Sequence, residues 1–67
     1  MSVLKVIEIL ASSEKGWEEA AATAVKKAAN TVKNIRSVYV QDLSAVVNDD
    51  NITDYRVNVK ITFEVKD

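Results

Sequence analysis

The sequence predicts an α+β subunit of order β-α-β-β, with one long helix packed on a three-stranded antiparallel sheet. Three observations carry this. Residues 53–67, "TDYRVNVKITFEVKD", place Tyr55, Val57, Val59, Ile61, Phe63 and Val65 at every second position, with Arg56, Asn58, Lys60, Thr62, Glu64 and Lys66 between them. That period of two belongs to a two-faced strand. Upstream, a single Ala-rich stretch has apolar residues at helical spacing. Just before the last strand, "NDDN" supplies turn residues, so the strands on either side form an antiparallel hairpin.

Each element follows in order. Residues 3–10, "VLKVIEIL", are β-branched and aliphatic with single charges at Lys5 and Glu8, and read as a strand. Val6 and Ile7 are adjacent, as are Ile9 and Leu10, so the strand has apolar residues on both faces and calls for cover on both. It is expected either as a central strand under the helix or as a strand whose second face meets another subunit. "ASSEKGWEEAAATAVKKAANTVKNI", residues 11–35, reads as one helix. Ser12 or Ser13 is expected to cap its start. Glu14, Glu18 and Glu19 lie toward the positive end of its dipole, and Lys26, Lys27 and Lys33 toward the negative end. Trp17, Ala21, Ala24/Val25, Ala28, Val32 and Ile35 make one apolar stripe. The stripe is mostly alanine, so at ~25 cal/mol per Å² it stabilises less than a leucine face would. Trp17 is expected as its core anchor. Residues 37–47, "SVYVQDLSAVV", form the second strand, with Val38 and Val40 on one face and Tyr39, Gln41, Leu43 and Ala45 on the other.

The chain of 67 residues is one domain, 1–67. Domains this small have little stability to spare, and use disulfides, metals or oligomerisation to gain it. There is no Cys and no His, which leaves oligomerisation. The last strand points the same way. Thirteen extended residues span about 43 Å at ~3.3 Å each. A helix of roughly 20 residues covers about 30 Å. The remainder, and at least one sheet edge, must be covered by other copies of the chain.

Composition excludes several classes of function. Nine basic and ten acidic side chains nearly cancel, so there is no basic footprint for nucleic acid. No apolar run has the length of a membrane span, and the start lacks the layout of a secretory signal. A soluble cytoplasmic protein is expected. Catalysis is not: the five serines have no imidazole to activate them. Small β-α-β tautomerases need an N-terminal proline, and the chain has no proline. One glycine cannot build a phosphate cradle. "NDDN" is not the spaced acidic loop that encloses calcium, and is expected to be a turn.

The ordered set of elements resembles the dodecin family. "KVIEILASSEKGWEEAAATAV" is similar to the dodecin opening, a short strand leading through serines into an Ala-rich helix headed by Trp or Phe. "TVKNIRSVYVQD" resembles the passage from helix to second strand, and "YRVNVKITFEV" the closing strand. The resemblance covers nearly the whole chain. It implies a helix lying across a curved antiparallel sheet, and a hollow homododecamer that stores or sequesters riboflavin, FMN or related flavins at subunit interfaces. Flavin-binding members carry a stacking tryptophan where this chain has Ser37, and a hydrogen-bonding glutamine where it has Arg56. An aromatic stack is worth ~0.5–1.5 kcal/mol beyond its area, so flavin binding is expected to be weakened at least tenfold. Some members resembling this branch without that tryptophan are regarded as calcium-binding dodecins. Asp42, Asp49 and Asp50 are then the candidate metal ligands. Asp42 is otherwise expected in a cross-strand ion pair with Arg56 or Arg36. A structural homo-oligomer without a ligand is the alternative to a flavin or calcium shell.

Overall fold

The computed structural model describes residues 2–66. Four elements follow in the expected order: β1 (Val3–Ser13), α1 (Trp17–Ala28), β2 (Ile35–Asn48) and β3 (Asn51–Val65). They form one antiparallel sheet of order β1-β3-β2 with the helix on one face. β3 pairs with both neighbours, from Val3↔Val65 to Ser13↔Tyr55 on one side and from Ile35↔Phe63 to Asn48↔Asn51 on the other. The two-faced strand is therefore the centre of the sheet. β1 is an edge strand, not the central one that its two apolar faces suggest.

The core is small and local. Ala20, Ala24 and Ala28 of α1 meet Val57, Val59 and Ile61 of β3, and these six residues are the fully buried apolar set. Alanines four apart leave a smooth helix face that lies close against the strand. Ile7, Ile9, Ala11, Ala21, Val25, Val32 and Ile35 pack around this nucleus, half-buried. The buried line runs through Ala20, one position from the Ala21 expected from spacing.

The helix is half as long as the sequence suggests. It spans 12 residues, about 18 Å, against about 50 Å for the 15 residues of β3. Both ends yield to the sheet. Ser12 and Ser13 pair with Arg56 and Tyr55 in β1 and so do not cap the helix. Gly16 stands at the cap position with φ 155 and ψ 173 and gives no side-chain cap. Its carbonyl accepts the Ala20 N–H at 3.1 Å, which starts the helix. The Ser13 hydroxyl instead accepts the Lys15 N–H at 3.0 Å and donates to Glu19 at 3.3 Å. At the other end the Thr31 hydroxyl donates to the Ala28 carbonyl at 3.2 Å. Asn34 then adopts φ 64, and its carbonyl accepts the Glu64 N–H at 3.0 Å. The chain turns there into β2.

The hairpin behaves as expected. Asp49 and Asp50 both have positive φ, 50 and 66, which is the type I′ geometry that matches strand twist. Irregularities in β2 re-aim its side chains. Val40 pairs with Val59 and Asp42 with Asn58, so Gln41 is an extra residue. That bulge puts Leu43, opposite Val57, on the helix side with Val38 and Val40. A strict alternation places Leu43 with Tyr39, and the bulge corrects it.

Gly16 occupies a region of backbone space that is nearly closed to side chains, although a Cβ there would meet nothing within 4 Å. Gly16→Ala should therefore lose ~1–3 kcal/mol from backbone strain alone. Urea unfolding at fixed protein concentration checks this, and an unchanged midpoint would contradict it.

Candidate functional site

Residues of β3 that alternate with the buried Val57, Val59 and Ile61 point to the face opposite the helix. Their register assembles that open face row by row. Arg56 lies between Ser12 and Ser44, Asn58 between Leu10 and Asp42, Lys60 between Glu8 and Tyr39, and Thr62 between Val6 and Ser37. Ser37, Asp42 and Arg56 thus share one surface.

Their spacing limits what one copy can do. The rows of Ser37 and Arg56 are six residues apart along β3, about 20 Å. One copy cannot bring both onto one small planar molecule. The rows of Asp42 and Arg56 are only two residues apart, about 7 Å, so these two are diagonal neighbours. Asp49 and Asp50 sit at the hairpin tip, at least seven residues or about 23 Å along β2 from Asp42. Among the described residues, no three Asp or Glu side chains converge as a metal site. Calcium takes six to eight oxygens, from carboxylates, carbonyls and water, and these three aspartates do not meet on one ion within one copy.

The expected ion pair of Asp42 does not form. Asp42 faces the neutral Asn58, whose amide donates to Glu8 at 3.4 Å instead. Arg36 turns to Glu64, with Nε at 3.1 Å and Nη2 at 2.8 Å from one carboxylate oxygen. It is the one ion pair among the described residues. The Arg36 hydrogen bonds hold the Glu64 carboxyl below the usual glutamate range; partial desolvation opposes this, and Lys66 adds a smaller push downward.

Tyr39 stands beside Ser37 on this face and is 64% exposed. It is the aromatic group nearest the position of the missing tryptophan along β2, and sequence reasoning did not single it out. Its alternation with Val38 and Val40 was the available signal. On the other face, Trp17 is not a core residue: it is 37% exposed. Its Nε1–H donates to the Ser44 carbonyl at 2.9 Å, and its ring meets Tyr55 edge-on at 4.9 Å. It ties the start of the helix to β2 and β3 from outside the core.

The chain has a strand-helix-strand-strand order, a central β3 and an Ala-lined helix, and a sequence profile described as Dodecin matches residues 3–66. The chain belongs to the dodecin family. This dodecin is 36% identical over 66 residues to the calcium dodecin of Mycobacterium tuberculosis, across 98% of this chain and 93% of that protein. It also resembles the crystal structure from that organism of a calcium-chelating immunodominant antigen, calcium dodecin, described as having a novel calcium-binding site. There the TM-score is 0.84 at 35% identity, covering 97% and 93% of the two chains. The dodecin of Streptomyces coelicolor has a TM-score of 0.94 at 21% identity, covering 98% and 94%, a likeness of fold alone.

Glu64 gains stability from Arg36 only while it is ionised. Its folded pKa is depressed, so this contribution is present above the unfolded pKa and is lost as pH falls through the folded one. Arg36→Gln should move the Glu64 midpoint up toward the ordinary value. A carboxyl-carbon NMR titration reads that shift directly, and an unmoved midpoint would disprove the pairing.

Proposed function

We propose that this dodecin is a non-catalytic, cytoplasmic binding protein. Copies assemble into a hollow homododecamer that sequesters a small ligand where they meet. Flavin binding is weakened by Ser37 and Arg56, and calcium is the ligand the chain is suited to hold. The observation that carries this is the near full-length match to a protein named calcium dodecin, at 36% identity.

The chemistry of the open face agrees with it. Ser37 offers no ring to stack on, and Arg56 brings a charge where flavin-binding members have a neutral amide. Asp42 is an unpaired carboxylate with an amide side chain opposite, and hard oxygen donors are what calcium takes. One copy supplies too few of them, so the ligand site and the assembly stand or fall together. Asp49 and Asp50 reach such a site only from a neighbouring copy.

The particle should have a native mass many times 7.4 kDa, the mass of one chain. A monomer by native mass spectrometry would end the proposal. Calcium at about a hundredfold excess over its Kd stabilises a binding state by ~2.7 kcal/mol, a rise of several degrees in Tm. Asp42→Asn should abolish that rise. A particle that melts identically with calcium and with chelator is a structural oligomer instead. Riboflavin fluorescence should be little quenched by the native protein. The double substitution Ser37→Trp and Arg56→Gln should raise riboflavin affinity at least tenfold, and no gain would show that these positions do not contact flavin.

A further inference from the structure

We propose that the groove beyond the end of the helix, between Lys5, Lys33 and Lys66, is a site for a phosphate-bearing organic anion: a compound with an apolar body and a phosphate ester at one end. The site lies apart from Ser37, Asp42 and Arg56 and goes beyond the calcium reading above.

The groove exists because α1 stops at Ala28 while β1 and β3 run on. Its volume is about 390 Å³. Val32 and Phe63, half-buried, and Val65, exposed, give it an apolar wall. Lys5, Lys33 and Lys66 line it as well, and all three are exposed. Lys5 is the informative one. It pairs with Phe63 and shares the helix side of β1 with Ile7, Ile9 and Ala11, which pack against the core. A lysine takes the next place on that face, where the helix has ended. Its stem covers apolar surface while its ammonium stays in water.

The charge of the groove runs against that of the chain. Nine basic and ten acidic side chains nearly cancel overall, yet three lysines and a single carboxylate, Glu64, line this opening. That carboxylate is already committed to Arg36 at 2.8 Å. Among the described residues, none of the three lysines has an ion-pair partner. A phosphate monoester answers them with close to two negative charges and three acceptor oxygens.

The helix end does not oppose this. Free carbonyls at a helix C-terminus disfavour anions. Here the Ala28 carbonyl accepts the Thr31 and Val32 N–H groups at 3.0 and 2.9 Å and the Thr31 hydroxyl at 3.2 Å. The Glu64 N–H donates to the Asn34 carbonyl at 3.0 Å, so the chain leaving the helix is tied to β3 before any ligand arrives. An inorganic ion would use the lysines and leave the apolar wall wet. A neutral compound would do the reverse. A compound with both parts uses both.

Phenyl phosphate is the probe, at about pH 8, above its second pKa of ~6. The native protein is titrated by calorimetry with calcium chelated. Binding should be saturable, several-fold tighter than for inorganic phosphate, and weaker as salt rises. Phenol should not bind. Lys5→Gln and Lys33→Gln should each weaken phenyl phosphate by about threefold or more. Lys26→Gln, which does not line the groove, should leave it unchanged. Circular dichroism checks that each variant folds, and if one does not, the other decides. Absence of saturable binding overturns the site. So does equal affinity for inorganic phosphate, which leaves the apolar wall unused, or for phenol, which leaves the lysines unused. An equal loss in Lys26→Gln marks diffuse attraction and overturns it too. With calcium chelated, these outcomes leave the calcium reading untouched, and a protein that ignores calcium leaves the groove untouched.

Discussion

Three alanines of one helix face, Ala20, Ala24 and Ala28, rest on Val57, Val59 and Ile61 of the central strand. Small side chains let helix and strand approach closely, and for the same reason they remove little apolar area from water. The other packing in the molecule is half-buried and arranged around this contact. A large-to-small change in such a core leaves a cavity that only a half-buried, partly wet surround can close, because six residues are the fully buried apolar set among the described residues. The fold is well specified by this contact and sparsely stabilised by it.

Most of the surface follows from that economy. A helix of about 18 Å cannot cover a strand of about 50 Å, so long stretches of β2 and the hairpin keep their apolar residues in water. On the opposite face, polar residues of β3 run down the middle, with Leu4, Val6 and Leu10 of β1 exposed at one flank. Ser37, Asp42 and Arg56 are held on one face but in different rows, and the hairpin aspartates are farther still. Only Asp42 and Arg56 are close enough to act together within one copy.

Much of this could be read from residue order. Strict alternation over Tyr55–Val65 identified the last strand and its two faces, since a period of two has one structural solution. "NDDN" identified the hairpin, and its two aspartates take the left-handed conformations that such a turn requires. Ser37, Asp42 and Arg56 were placed on matching strands. Less legible were the places where two local preferences compete. Ser12 and Ser13 are good helix caps, yet their backbone groups gain more from the ladder with Arg56 and Tyr55. Arg36 had Asp42 and Glu64 to choose from, and the bulged start of β2 turned it to Glu64.

The amino-acid order by itself determined that there would be one helix and three strands, which strand would have a dry face, and that one copy would be short of core. These are local matters of periodicity, side-chain size and length, and they need no knowledge of neighbours. Only the tertiary structure decided which strand lies in the middle, where the helix stops, which way Leu43 points and which carboxylate Arg36 holds. Each depends on pairing between residues distant in sequence, where a one-residue bulge at Gln41 reverses every side chain after it.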